Sequence, residues 1–398
     1  MSDANILKAS MFTPGPRFVW GLPIRIIGGP GTAKTDIITQ VATKAGFHMV
    51  VVLASLRDPT DFLGMPVVRD GAVSYAPPDW VAEVTVHPNS VVFFDEINTC
   101  SPSTQAALLR VVLDRVVGNY RLPSTVRILA AQNGVDEAAG GYDLAMPLAN
   151  RFGTLADWAG PNADEWSEWL VGDSSEGPVD FHVADVGTEQ SRVLSAWSFE
   201  YAKAAGIVST FISRRPALLH VQPLTGSPQA SLPWPSRRTW AMATRAMAAS
   251  QIHKLTEEES ERYIGAFVGL AAMVELKKFI TDLDLPDPAE LLDGRISFKH
   301  NKSRLDRTMA VLAACSGLVV PKNAFRRHER AAVLWGLVRD VMKSAADVVW
   351  PTVRLLCSRG SGLERDGKTF NKDAEAVLTR FHSMLKAVNI LPGADSGV

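Results

Sequence analysis

Residues 28–35 read GGPGTAKT, between the apolar run Ile24-Arg25-Ile26-Ile27 and an amphipathic helical stretch. Strand, glycine-rich turn and helix in that order build a phosphate cradle, because the backbone N–H groups of the turn and the positive end of the helix surround an anion. In the pattern G-x-x-x-x-G-K-[ST], the loop is Gly28, Gly29, Pro30, Gly31, Thr32 and Ala33. Lys34 reaches the β- and γ-phosphates of a nucleotide, and the Thr35 hydroxyl holds Mg²⁺. Ala33 departs from the pattern by standing where the second glycine belongs. A methyl group there is expected to be tolerated only if φ stays negative.

A second cluster follows at Val91-Val92-Phe93-Phe94-Asp95-Glu96. Four apolar residues bury a strand and two carboxylates emerge at its C-terminal end, where open α/β sheets place their sites. Asp95 is placed to hold the Mg²⁺ shell, and Glu96 to polarise water for in-line attack on a γ-phosphate. Ala130-Ala131-Gln132-Asn133 ends another apolar strand in a polar pair, and Leu148-Ala149-Asn150-Arg151-Phe152 sets an arginine beside an apolar anchor. In Pro235-Ser236-Arg237-Arg238-Thr239-Trp240, Ser236 caps a helix with two arginines in its first turn. That placement opposes the helix dipole and points to a role other than helix stability.

The elements that must position these residues follow an alternating pattern. From about 20 to 155, short β-rich runs alternate with helical ones, predicting a parallel sheet with covering helices. Strands are expected at 24–27, 48–53, 90–94 and 126–131, all apolar enough to be buried on both faces. A hairpin-like insert is expected at about 64–80, and a second hairpin at 116–121 with Gly118-Asn119 at its turn. Residues 157–190 are rich in tryptophan and acid (Trp158, Trp166, Trp169) and include a loop at 172–180. Residues 221–236 read as a connector. Helices are expected at 237–254, 257–280, 303–317, 323–346 and 371–388, and disorder at 392–398.

The bulk numbers set the frame. A chain of 398 residues with 46% apolar and 21% charged residues is that of a folded soluble protein with two or three domains. A net charge of −1 provides no global field toward nucleic acid or an anionic membrane. Cys100, Cys315 and Cys357 lie far apart without metal-type spacing, which suits a reducing compartment, and the histidines show no zinc-binding pattern. The N-terminus lacks a signal-peptide pattern, and the apolar stretch around Met309–Val320 is too short for a bilayer, so it reads as a buried helix. A cytoplasmic location is expected.

Together these landmarks resemble the AAA+ ATPases, and within them the MoxR-like, helix-2-insert branch. The likeness lies in GGPGTAKT with alanine before the lysine, in FFDEINTCSPSTQAALLRVVLDR at 93–115, in AAQN at 130–133 and in PLANRF at 147–152. It covers about residues 12–255. The resemblance implies an AAA+ P-loop α/β domain with a parallel sheet and flanking helices at 1–225, a helical lid at 226–300, and a C-terminal helical extension at 301–398. It implies that Lys34 and Thr35 contact phosphate and magnesium, that Asp95 is the Walker B carboxylate and that Glu96 is the catalytic base. Asn133 matches sensor 1, and Arg151 matches the arginine finger that acts on the neighbouring subunit's nucleotide. Arg238 matches sensor 2, with Arg237 as competitor because the family's Ser-Pro-Arg stands here as Ser-Arg-Arg. The hairpins at 64–80 and 116–126 would project toward a ring's channel. ATP/ADP and Mg²⁺ are the implied cofactors; a homo-hexameric ring and a von Willebrand factor A domain protein are the implied partners.

Two other readings stand beside an ATP-hydrolysing ring that remodels a protein. One is a nucleotide-gated binding switch, which has no need of Glu96, Asn133 and Arg151 together. The other is a nucleic-acid-associated motor, against which the near-neutral charge argues, although Arg214-Arg215, Lys277-Lys278 and Arg326-Arg327 are paired cations. Val73, Tyr75 and Trp80 either contact a client or pack the insert against its own domain. The tryptophans at 157–170 form either a partner surface or a domain junction. The C-terminal helices extend the lid, mediate assembly or dock a partner.

Overall fold

A computed structural model describes residues 2–16, 19–134, 142–171, 179, 181–283, 285–320, 324, 326–358 and 372–387. The disorder expected at 392–398 and nearly all of the 172–180 loop lie outside these residues. The elements begin with α1 (Ser2–Met11), β1 (Ile24–Gly28), α2 (Lys34–Lys44), β2 (His48–Leu53), α3 (Thr60–Leu63), β3 (Met65–Arg69), β4 (Ala72–Ala76) and α4 (Asp79–Val86). There follow β5 (Ser90–Asp95), α5 (Pro102–Asp114), β6 (Val116–Val117), β7 (Tyr120–Arg121), β8 (Arg127–Gln132), α6 (Met146–Ala149), β9 (Gly153–Trp158) and α7 (Ala163–Val171). The remainder is helical: α8 (Val186–Arg214), α9 (Arg237–His253), α10 (Glu257–Val268), α11 (Leu270–Leu283), α12 (Pro288–Leu292), α13 (Leu305–Val319), α14 (Arg327–Met342), α15 (Ala346–Ser358) and α16 (Lys372–Ala387).

The apolar runs pair into one parallel sheet of order β2-β5-β8-β1-β9. The expected strands are present, but β2 is an edge strand with Val51 and Leu53 exposed rather than buried on both faces. The fifth strand, β9, was not expected from the sequence. Its run GTLADW is short and mixed, and it becomes a strand because β1 offers an open edge and Phe267 of α10 closes over Gly153. On one side of the sheet, Phe94 meets Phe62 and Trp80 edge-on, at centroid distances of 5.9 and 6.2 Å. Such pairs contribute about 0.5–1.5 kcal/mol each beyond their buried area. Trp80 is thereby buried core, which removes it from the candidate client contacts, whereas Val73 and Tyr75 are exposed.

Arg25 stitches the sheet from inside. Its guanidinium donates to Gln132 Oε1 of β8 at 2.9 Å, to Thr154 Oγ1 of β9 at 2.8 Å, and to the Ser231 carbonyl. Burial draws its pKa down to about 9, so it stays charged at neutral pH, and these bonds satisfy most of its donors. Both expected hairpins form, with Val68 paired to Val73 and Val117 to Tyr120. They abut, since a Cβ on Gly118 would lie 2.9 Å from that of Tyr75; the second hairpin also meets α4, where the hydroxyls of Thr85 and Tyr120 are 2.6 Å apart.

Two compact units divide the chain, residues 1–195 with 218–273, and residues 196–217 with 274–398. The expected helix at 257–280 is two helices, broken by a turn at Gly269 (φ +82°), where a side chain's Cβ would lie 2.8 Å from the Pro233 carbonyl, so only glycine fits without strain. In the second unit, α12 to α16 close around Trp335, Leu334 and Val338, and Arg330 grips Asp293 with bonds of 2.9 and 3.1 Å. The stretch 309–320 is a mostly buried part of this core, as its composition predicts. Among the described residues, no helix is long and apolar enough to cross a membrane.

Candidate functional site

The sheet order decides which strand ends become neighbours. β1 pairs with β8 and β8 with β5, all parallel, so the C-terminal ends of the three strands open on one edge. The registers Ile27↔Gln132 and Phe94↔Ala130 bring Gly28, Asn133 and Asp95 to that edge together. Residues separated by about a hundred positions thus become one site.

Lys34, the first residue of α2, is buried, and its ammonium lies 2.9 Å from Gly28 O, 2.7 Å from Gly29 O and 2.9 Å from Asn133 Oδ1. Thr35 donates its hydroxyl to Asp95 Oδ2 at 2.7 Å. Asp95 Oδ1 accepts from the Glu96 backbone N–H at 2.9 Å, which fixes the carboxylate between the two residues. Asn98 donates to the Asn133 carbonyl at 3.3 Å, a tie that the sequence reading did not assign. The first turn of α2 has no side-chain cap, which leaves its backbone donors to an anion.

Ala33 has φ 58° and ψ 28°, in the left-handed region, contrary to the expectation that a methyl group requires negative φ there. The loop's geometry overrides the alanine's preference at a penalty of about 1–2 kcal/mol. Replacing it by glycine removes that penalty but loosens the unfolded chain by about 0.4–1 kcal/mol. Ala33→Gly is therefore expected to stabilise the domain by roughly 0.5–1 kcal/mol. Urea unfolding of the two proteins checks this, and a lower midpoint for the variant would show that the methyl is packed rather than strained. Glu96 also has positive φ, at 53°. Non-glycine residues held there cluster at functional sites.

Two glycines let a neighbouring segment close over the loop. A Cβ on Gly28 would meet the Trp158 carbonyl at 2.7 Å, and one on Gly160 (φ +77°) would meet the Thr32 carbonyl at 2.7 Å. Trp158 itself is buried and donates its indole N–H to Thr32 O at 3.0 Å. The cavity over this edge holds about 770 Å³, and residues 30–37, Asp95, Glu96, Asn133, Glu165, Trp166 and Trp169 line it. Its size suits a nucleotide.

Arg151 and Arg238 form a separate cluster and do not line that cavity. Arg238 donates to Asn150 Oδ1 at 3.3 Å, as does the Ser236 hydroxyl at 3.3 Å, while Arg151 donates to the Pro147 carbonyl. Burial, then the charge of Arg238, lowers the pKa of Arg151 from the usual arginine value; Asp114 acts in the opposite direction. Ser236 caps α9 as expected, in a reciprocal box with Thr239. Arg237 and Arg238 are both exposed, and Arg238 is the one that joins Asn150. Asn150, unassigned in the sequence reading, joins Ser236 and Arg238. Gln105 of α5 accepts the Ala145 N–H at 2.8 Å just before α6.

Thr35 and Asp95 together supply hard oxygen ligands of the kind Mg²⁺ takes alongside phosphate oxygens. Among the described residues no cluster of three or more His, Cys, Asp or Glu is arranged to hold a metal on its own. A glycine-rich loop on β1, a carboxylate at the end of β5 and a polar residue at the end of β8 define the P-loop class of nucleotide-binding domains. Residues 24–154 match the model of the ATPase family associated with various cellular activities (AAA). Midasin of Giardia intestinalis is 23% identical over 138 residues, 33% of this chain but 3% of that protein. The crystal structure of a "putative ATPase" from Cytophaga hutchinsonii overlays with a TM-score of 0.43 and 19% identity, over 70% of this chain and 87% of that one.

Proposed function

We propose that this chain is a subunit of an ATP-hydrolysing ring that remodels or assembles a protein partner, of the MoxR-like kind. The observation that supports it best is the pairing of Lys34 with Asn133 and of Thr35 with Asp95 around a cavity of nucleotide size. ATP entering the loop gives the Lys34 ammonium phosphate oxygens in exchange for the carbonyls of Gly28 and Gly29. Thr35 and Asp95 would hold Mg²⁺, which supplies neutralisation of the phosphate charge. Glu96 accepts a proton from the attacking water at its carboxylate, and Asn133 orients that water.

Arg151 and Arg238 stand apart from this cavity, which favours action on the nucleotide of the next subunit. Arg151, bonded to the Pro147 carbonyl, and Arg238, bonded to Asn150, repel each other, and a partner's phosphate relieves that repulsion. A site completed by a neighbour requires head-to-tail packing, which closes into a ring, proposed here as a hexamer. The exposed Val73 and Tyr75 on the abutting hairpins are the proposed client contacts. A von Willebrand factor A domain partner and a cytoplasmic location follow from the resemblance in motifs alone. The test is ATP turnover measured against protein concentration, with sizing in each nucleotide state. Cooperative onset of turnover with assembly supports the ring; nucleotide binding by a monomer without turnover would leave a nucleotide-gated switch instead.

A further inference from the structure

α7 exposes more aromatic surface than a short helix needs for its own packing: Trp166 is 49% and Trp169 38% exposed. Their spacing of three residues sets both indoles on one helical face, and both line the 770 Å³ cavity shared with the phosphate loop. The anchoring task belongs to a different tryptophan, Trp158, which is 5% exposed and bonded to Thr32 O. From that anchor the chain runs through Gly160, pressed on Thr32, into a reciprocal cap. Asn162 Oδ1 accepts the backbone N–H groups of Asp164 and Glu165, each at 3.0 Å, and Glu165 Oε2 accepts that of Asn162 at 2.9 Å. The cap fixes the start of α7 relative to the loop, and with it the position of Trp166 and Trp169.

We infer that Trp166 and Trp169 are the base platform of the nucleotide site, stacking on the purine ring of a nucleotide whose phosphates lie in the 28–35 loop. This rests on the phosphate-binding reading of that loop and is independent of whether the nucleotide is hydrolysed. A loop that holds phosphates leaves the base to be bound elsewhere in the same cavity. The indoles are the large π-faces available there, and indole stacks well on a purine.

The experiment measures binding of ATP and of tripolyphosphate, which has no base, to the full chain. In Trp166→Ala/Trp169→Ala the Kd for ATP is expected to rise at least roughly tenfold while that for tripolyphosphate stays unchanged. In the wild type, ATP quenches tryptophan emission and tripolyphosphate does not. Trp166→Phe/Trp169→Phe keeps most of the ATP affinity and loses that ATP-specific quench. An unchanged ATP affinity in the alanine variant overturns the inference, as does a quench that survives in the phenylalanine variant or is the same for both ligands. Equal weakening of both ligands in the alanine variant also counts against it. A wild type that shows the ATP-specific quench but no turnover removes the hydrolysis reading and leaves the platform standing. Turnover with a tryptophan-insensitive ATP affinity removes the platform alone.

Discussion

Arg151→Ala is expected to lower ATP turnover by about a thousandfold while leaving nucleotide affinity and assembly intact. An arginine supplied in trans to a transferring phosphoryl group contributes on the order of 10³–10⁵ in rate. Arg151 stands outside its own cavity, so its loss leaves the contacts of Lys34, Thr35 and Asp95 untouched. Mixing provides a sharper form of the test. Lys34→Ala subunits have a dead nucleotide site but an intact Arg151, and Arg151→Ala subunits have the reverse. Mixed rings contain interfaces that join an intact Lys34 to an intact Arg151, so turnover is expected to reappear when the two inactive proteins are combined. No recovery in rings shown to be mixed, or loss of nucleotide binding by Arg151→Ala alone, would place Arg151 at its own subunit's site.

The second large effect is expected at Glu96. Glu96→Gln keeps the shape of the side chain and removes its capacity to accept a proton, so turnover is expected to fall by about 10²–10⁴-fold with ATP still bound. The backbone N–H of residue 96 continues to hold Asp95 Oδ1, since that bond does not involve the side chain. The proposed magnesium ligands, Thr35 and Asp95, are therefore expected to survive the change, and the variant should accumulate as an ATP-loaded assembly. Single-turnover measurement separates the outcomes. A normal rate of γ-phosphate cleavage would show that Glu96 is not the base, and a loss of ATP affinity would show that it binds rather than activates.

The differences between sequence expectation and structure have a common physical origin. Asp95 and Glu96 were legible because a run of four apolar residues ending in carboxylates is a local signal. β9 was not, because GTLADW becomes a strand only through the open edge of β1 and the cover of Phe267, contacts made by residues distant in the chain. The need for glycine at the 269 break depends on the Pro233 carbonyl, and the burial of Trp80 on Phe62 and Phe94. For Ala33 the local rule itself pointed the wrong way. Its preference for negative φ, about 1–2 kcal/mol, is small beside the loop contacts that impose φ 58°.

The sequence by itself determined the chemistry available to this protein: the phosphate loop, the paired carboxylates, the asparagine and arginines, and the alternation that makes a parallel sheet. Those are properties of residue type and short spacing. Only the tertiary structure decided which of them share a site. The order β2-β5-β8-β1-β9 sets Lys34 on Asn133 and Thr35 on Asp95, and it leaves Arg151 with Arg238 in a second cluster. It also decided that two tryptophans of α7 line the cavity while Trp158 is spent on anchoring. Strand order and cross-chain register arise from long-range packing, and a periodicity of two or 3.6 residues carries no information about them.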